Sequence, residues 1–342
     1  MAIPESLRGQ MRLPVIGSPL FIVSNPRLVI EQCKAGVIGS FPALNARPAP
    51  VLEEWLVQIT EELAAFKRQH PERKVAPYAV NQIVHASNDR LASDIALCEK
   101  YRAPIQITSL RAPDEVVQSA HSYGGLVYHD VTNVKHAKRA LQAGVDGLIL
   151  VCSGAGGHAG SLSPFALLAE VREFYDGTVI LSGAIANGSA ILAAQAMGAD
   201  FAYMGTRFIA TEEANASAQY KQALIDSQAE DIVYTNLFTG VHGNYLRSSI
   251  VNAGLDPDAL PAADKTKMNF ASGGNMKTKA WRDIWGSGQG VADIHEVLPV
   301  SALVDRLESE YVAAKKQLDR NASAFISFGA GREIPGKLSN AT

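Results

Sequence analysis

With 342 residues, 47% of them hydrophobic and 19% charged, the chain has the make-up of a folded globular protein and is too apolar for disorder. Its 31 basic and 34 acidic residues leave a formal charge of −3, which supplies no long-range pull toward nucleic acid or an anionic membrane. Three scattered cysteines (Cys33, Cys98, Cys152) argue against a disulfide framework or metal site; with no export signal before Val23 and no apolar run of about 18 residues, a soluble, cytoplasmic protein is expected.

Strands are predicted at Pro14–Ser18, Val37–Ser40, Val75–Val80, Ile105–Thr108, Gly125–His129, Gly147–Cys152, Val179–Ser182 and Phe201–Met204. Between them Pro50–Gln69, Asp89–Tyr101, Val134–Ala143, Phe165–Phe174 and Ser189–Met197 carry amphipathic helical spacing. Strands that do not alternate, separated by helices, describe a parallel sheet covered on both faces. Eight such units imply an α/β protein, a (β/α)8 TIM barrel, over residues 1–211. After Thr211 the rhythm changes. Glu212–Ala229 reads as a helix, and 212–280 as a smaller, mostly helical second region over the barrel mouth. Residues 281–342 then return to the barrel, with an amphipathic helix at Val300–Leu318 and a loose tail from Gly331.

The segment Cys152-Ser153-Gly154-Ala155-Gly156-Gly157-His158-Ala159-Gly160 follows the sixth strand directly. Four glycines in seven residues let backbone pass close to a flat ligand, where a Cβ would collide. A histidine in that loop stands at the catalytic face of a barrel, near its unperturbed pKa at working pH, so His158 is the candidate catalytic residue; a flexible loop with a solvated imidazole is the plainer alternative. Leu181-Ser182-Gly183-Ala184 ends the seventh strand and Tyr203-Met204-Gly205-Thr206-Arg207 the eighth. Loops in these two places often hold a phosphate through backbone N–H groups, and Thr206 adds a hydroxyl donor, although an ordinary strand–helix junction also tolerates such residues. Neither a Walker loop nor a G-x-G-x-x-G dinucleotide fingerprint is present. Asn81, Ser109 and His129-Asp130 close the third, fourth and fifth strands, as contacts to a polar ring edge or as satisfied rim residues. His85, His242 and Gly286–Gly290 are placed near the mouth, whereas His70, His121, His136 and His295 read as surface or helix histidines. Lys265, Lys267, Lys277 and Lys279 read as a solvated face.

These segments together resemble the FMN-dependent nitronate monooxygenase family, formerly called 2-nitropropane dioxygenases, which also contains NADH:quinone reductases and FMN-dependent enoyl-ACP reductases. The resemblance is carried by Gly17-Ser18-Pro19-Leu20, Ala35-Gly36-Val37-Ile38-Gly39-Ser40, Asn81, Gly154 to Gly160, Ser182-Gly183-Ala184, Gly198-Ala199-Asp200 and Met204 to Phe208, with Trp285 and Gly288-Gln289-Gly290 downstream. It implies non-covalent FMN on the barrel's C-terminal face. Ser18, Pro19 and Leu20 would line the flavin ring, Asn81 would meet its polar part, and Gly183/Ala184 with Gly205/Thr206 would hold the phosphate. His129, Gly156, Gly157, Ser182, Met204 and Gln289 complete the expected cofactor-binding set; no metal is expected. The implied activity is oxidation of alkyl nitronates by O2 to a carbonyl compound and nitrite, with His158 as base or as electrostatic partner of the substrate anion. The alternatives are an NAD(P)H-dependent FMN reductase acting on quinones or enoyl thioesters, and a flavin-free barrel binding a phosphorylated ligand. The partners are thus a small-molecule substrate with O2 or NAD(P)H, not nucleic acid or membrane, and the assembly left open is a homodimer. Three positions depart from the family pattern: Ser18-Pro19-Leu20 replaces Ala-Pro-Met, Ala184 replaces the second Gly of Ser-Gly-Gly, and Asp130 stands where several relatives carry Lys. The last removes a cation from beside the flavin.

Overall fold

The computed structural model describes residues 2–261 and 283–325. The four lysines from Lys265 to Lys279 and the tail from Gly331 lie outside the described residues. Eight parallel strands make one sheet: β1 (Val15–Gly17), β2 (Gly39–Pro42), β3 (Tyr78–Val84), β4 (Ile105–Leu110), β5 (Leu126–Val131), β6 (Gly147–Val151), β8 (Thr178–Ser182) and β9 (Phe201–Met204); a two-residue β7 (Gly157–His158) falls between β6 and β8. The order is β1-β9-β8-β6-β5-β4-β3-β2. Its two edges meet, because the Gly17 amide donates to the Ile38 carbonyl at 2.8 Å and the Ile38 amide to the Val15 carbonyl at 3.1 Å. The sheet is therefore closed into a barrel.

Between the strands run α1 (Pro26–Lys34), α2 (Val51–Gln69), α3 (Leu91–Lys100), α4 (Asp114–Ser122), α5 (Val134–Gln142), α6 (Pro164–Arg172), α7 (Gly188–Ala196) and the one-turn α8 (Thr206–Ile209). One device starts three of them. The Asn25, Asn133 and Asn187 side chains accept from the amides of Leu28, His136 and Ala190 at 2.8–2.9 Å, pairing donors that a helix start leaves open. A second device holds the barrel's lower rim. Asp146 accepts from the Val127 amide at 2.7 Å, and the fully buried Asp200 accepts from the Val179 amide at 2.9 Å and from the Arg172 guanidinium at 2.8 Å.

Strand alternation divides the apolar residues between two cores. Ile16, Ile38, Ala79, Ile107, Tyr128, Ile149, Ile180 and Phe201 fill the barrel interior, and Ile3, Leu7 and Met11 of the N-terminal segment close its floor. Val127, Leu148, Leu150, Val179 and Leu181 face the helices instead.

Beyond Thr211 come α9 (Ala218–Ile225), β10 (Ile232–Thr235), β11 (Gly243–Leu246) and α10 (Arg247–Asn252). The region expected to be mostly helical thus contains an antiparallel pair, β10–β11, and β11 also pairs with β7. The β-branched and aromatic run Ile232-Val233-Tyr234-Thr235 accounts for the difference. The closing helix α11 (Val300–Phe325) runs further than its apolar spacing implied. Its Leu303, Val304 and Leu307 pack with Val15, Leu28 and Ile191, and its first amide, Val300, donates to the Glu213 carboxylate at 3.0 Å. Among the described residues no helix is long and apolar enough to cross a membrane.

Candidate active site

Most inward strand faces carry on upward from an apolar layer into a polar one, β6 continuing instead from Ile149 to Val151. Two residues beyond Ile16, Ala79, Ile107, Tyr128 and Ile180 stand Ser18, Asn81, Ser109, Asp130 and Ser182, and all five line a cavity of about 1330 Å³ at the C-terminal mouth of the barrel. That volume exceeds the roughly 300–1,000 Å³ usual for small-ligand pockets. Pro19, Leu20, Gly154 to Ala159, Gly183, Ala184, Gly205 and Thr206 join the wall from the rim, and Tyr220, Thr239, Val241 and Trp285 from the region beyond the barrel. Tyr220 and Trp285 stack there at 5.0 Å, with the Tyr220 hydroxyl on the Gly286 carbonyl.

His158 owes its place to β11. Gly157 and His158 pair with Asn244 and Gly243, the Asn244 side chain donates to the Ala155 carbonyl at 2.7 Å, and the Ala159 amide donates to the His242 carbonyl at 3.1 Å. The imidazole Nε2 lies 3.0 Å from Thr239 Oγ1, and that hydroxyl donates to the Val241 carbonyl at 2.9 Å. A threonine hydroxyl has one proton, so a Thr239 hydroxyl that gives it to Val241 can only accept from the ring at Nε2. Burial pushes the His158 pKa down to about 4, which corrects the expectation of an unperturbed value. The ring is neutral at neutral pH.

The rim loops are tied together by backbone. The Gly154 carbonyl accepts from the Gln289 amide at 2.9 Å and from the Ala184 amide at 3.3 Å, so the Ala184 N–H expected to face a phosphate turns to the neighbouring loop. Ala184 also holds φ +54°, the left-handed region that favours glycine. Thr206 Oγ1 accepts from the Gly288 amide at 2.8 Å and keeps its own proton as a donor. A Cβ on Gly156 would lie 2.8 Å from the Gly288 nitrogen, so only glycine lets these loops approach.

Two expected contacts lie elsewhere. Met204 is fully buried among Val15, Leu28 and Phe208 on the helix-facing side, because alternation turns it away from the inward Tyr203. The Gln289 side chain is exposed and absent from the cavity wall; its amide bonds the Gly154 carbonyl, and its Oε1 lies against the outside of Gly154, 3.0 Å from where a Cβ there would sit. His129 borders the cavity, but its Nδ1 pairs with Thr108 at 2.8 Å, and burial lowers its pKa to about 4. His85 and His242 are not part of the wall, whereas His136, read as a surface or helix histidine with no tie to a site, lies on helix α5 and borders it. Asp130, read as a contact to a polar ring edge or as a satisfied rim residue, lines the wall inside the barrel, and so do two residues given no site role, Tyr203 inside the barrel and Thr239 above. Asp130 Oδ1 and the Tyr203 hydroxyl are shut off from solvent and have no hydrogen-bond partner among the described residues. Period-two counting from Tyr128 turns Asp130 inward; no local pattern marks Thr239.

A flavin suits these residues. The cavity is large, its wall has close-packed backbone for a flat ring, the Thr206 hydroxyl and Ser182 line the part assigned to a phosphate, and Asp130 and Tyr203 add polar side chains to its inner wall.

Comparison with known proteins agrees with this geometry. The nitronate monooxygenase family model matches residues 10–310. The chain is 26% identical to the nitronate monooxygenase of Paraburkholderia phytofirmans over 365 aligned residues, 91% of this chain and 95% of that protein. Among solved structures it is similar to nitroalkane oxidase from Streptomyces ansochromogenes (TM-score 0.74, 24% identity, 92% of this chain and 100% of that one). It is likewise similar to FabK from Thermotoga maritima (TM-score 0.71, 21% identity, 91% and 96%), and at such identities both likenesses speak for the barrel fold.

Proposed function

The chain belongs to the nitronate monooxygenase family, a family of flavin-dependent oxidoreductases, and we propose that it holds FMN non-covalently in the barrel mouth and oxidises alkyl nitronates with O2 to a carbonyl compound and nitrite. Bound FMN would supply the redox chemistry. The chain's own part is to bind, orient and move a proton. Ser182, Gly205 and Thr206 would hold the phosphate, while Ser18 to Leu20 and the Gly156–Gly157 backbone would flank the ring. The region beyond the barrel covers the mouth and limits water.

The observation that carries the reading is the state of His158. A neutral imidazole held at the cavity wall by Thr239 is suited to taking the α-proton of a neutral nitroalkane; the resulting imidazolium then balances the nitronate charge. His158→Asn should lower nitroalkane turnover by about 10²–10⁴-fold, the usual worth of a general base, at unchanged flavin content. Preformed nitronate, which needs no deprotonation, should lose much less. Undiminished nitroalkane turnover in the variant would remove the assignment.

The size of the cavity, about 1330 Å³, and its apolar outer wall of Leu20, Phe21, Ile22, Leu44 and Leu110 favour a second reading, an NAD(P)H-dependent reductase of quinones or enoyl thioesters. Anaerobic mixing with NADH separates the two: rapid bleaching of the flavin selects the reductase. A colourless protein that cannot be reconstituted with FMN would select a flavin-free barrel instead.

A further inference from the structure

One acid inside the barrel has no task in the chemistry above. Asp130 follows Tyr128 by two residues on β5, so it points inward as Tyr128 does and forms part of the cavity wall. Its Oδ1 is shut off from solvent and accepts no hydrogen bond from the described residues. Structural acids in this fold look different. Asp200, fully buried, takes the Val179 amide, the Ala2 amide at 2.7 Å and the Arg172 guanidinium, while Asp146 takes the Val127 amide and His121. Facing Asp130 across the barrel from β9 is Tyr203, whose hydroxyl is equally without a partner and is pushed further toward its protonated form by the Asp130 charge. Two inward polar side chains on non-adjacent strands thus line one cavity.

The geometry points to Asp130 serving this site as a carboxylic acid rather than a carboxylate, its O–H donated to the occupant of the cavity, so that ionising it weakens the binding of an anionic substrate. This rests on the flavin reading above and adds to it a proton-carrying group and a preference for anions. The surroundings agree. The other titratable groups facing the cavity are His129 on the same strand, Tyr203 on β9, His158 on β7, His136 on α5, Tyr220 on α9 and Arg47 after β2. His129 and His158 are neutral, and Arg47 is the one permanent cation of the described wall. Burial alone, without an offsetting cation, lifts the Asp130 pKa to about 7. A neutral acid is compatible with a planar, two-oxygen anion such as a nitronate; a carboxylate beside it is not.

The test uses two measurements on wild type and Asp130→Asn. In the flavin-free protein, infrared spectroscopy from pH 5 to 9 should show a protonated-carboxyl C=O band that titrates away near pH 7 and is missing in the variant. In the FMN-loaded protein, propionate, a planar anion that stays ionised from pH 6 to 9, should bind at least about 10-fold more weakly at pH 9 than at pH 6, read from its perturbation of the flavin absorption. The variant should bind it equally at both. Asp130→Ser provides the same comparison if the Asn protein does not accumulate. No titrating band in wild type, propionate binding that is flat with pH or unmeasurable, or the same pH slope in the variant would overturn the assignment. A protein that takes up no FMN would fail the flavin reading itself, whereas FMN uptake with pH-flat propionate binding would fail the Asp130 assignment alone.

Discussion

Two adjacent residues, His129 and Asp130, show how much one-residue resolution matters here. Both were visible as polar residues closing a strand, and the imidazole looked the better ligand. The pleat reverses that ranking: it turns His129 to Thr108 and sends Asp130 into the barrel. The inward position has a stability consequence with a definite sign. The folded-state pKa, about 7, lies above the ordinary carboxylate value of 3.8. Stability from this group is therefore fully present below pH 3.8 and is lost as pH rises through 7. An amide in its place cannot ionise, so Asp130→Asn should be more stable than wild type at pH 8.5, and the gap should close toward pH 5.5. At about 1.36 kcal/mol per pKa unit the ceiling is about 4 kcal/mol; water in the open cavity discounts it to about 1–3 kcal/mol. Denaturant unfolding at the two pH values measures the gap, and an equal difference at both would show that the carboxyl is already solvated.

At the scale of elements, the barrel units were legible because, apart from the β1–β9 closure, neighbouring strands follow one another along the chain and their apolar runs are short and continuous. Ile105 to Thr108, Gly147 to Val151 and Val179 to Ser182 need no distant partner to be recognised, and α2 was readable from Leu52, Leu56, Ile59 and Leu63 on one face. The sheet that positions His158 had no such signal. β7 is two residues long and exists because Gly243 and Asn244, far along the chain, pair with it. No local propensity marks a strand of that kind. The pairing is also close: a Cβ on Gly243 would lie 2.6 Å from the Gly157 carbonyl oxygen, which is backbone and cannot rotate away. Gly243→Ala should push β11 off β7 and release His158 from Thr239, while leaving the eight-stranded core untouched. Turnover of nitroalkane should fall at least about 10-fold, as when a group that orients a catalytic residue is lost, with a far-ultraviolet spectrum like that of wild type. Full turnover would mean that the β7–β11 pairing does not set the position of His158.

At the scale of the whole molecule, the C-terminal mouth is the less densely tied end of the barrel. The lower rim is fastened by the Arg172–Asp200 ion pair and the N-terminal plug, whereas the 288–290 segment meets the loops after β6 and β9 through two of the hydrogen bonds already described, Gln289 to the Gly154 carbonyl and Gly288 to Thr206, and the β8 loop joins them through the Ala184 amide on that same carbonyl. A ligand spanning those loops supplies the missing ties, and by mass action it stabilises the folded state by about 2.7 kcal/mol at 100 times its Kd. For a domain of this length, with an unfolding entropy of about 2.1 cal/mol/K per residue, that raises Tm by about 4 °C. FMN at saturation should produce a shift of that order. Riboflavin, identical in the ring but lacking the phosphate, should produce less at the same concentration if Gly205 and Thr206 hold the phosphate. Thr206→Val removes the hydroxyl donor with little change of shape, so it should narrow the difference between FMN and riboflavin and leave the riboflavin shift where it was. Thermal melts of the two proteins with the two ligands give all four values. If FMN and riboflavin raise Tm equally in wild type, the phosphate is not held by these loops, and the glycines there serve only the packing of the barrel mouth.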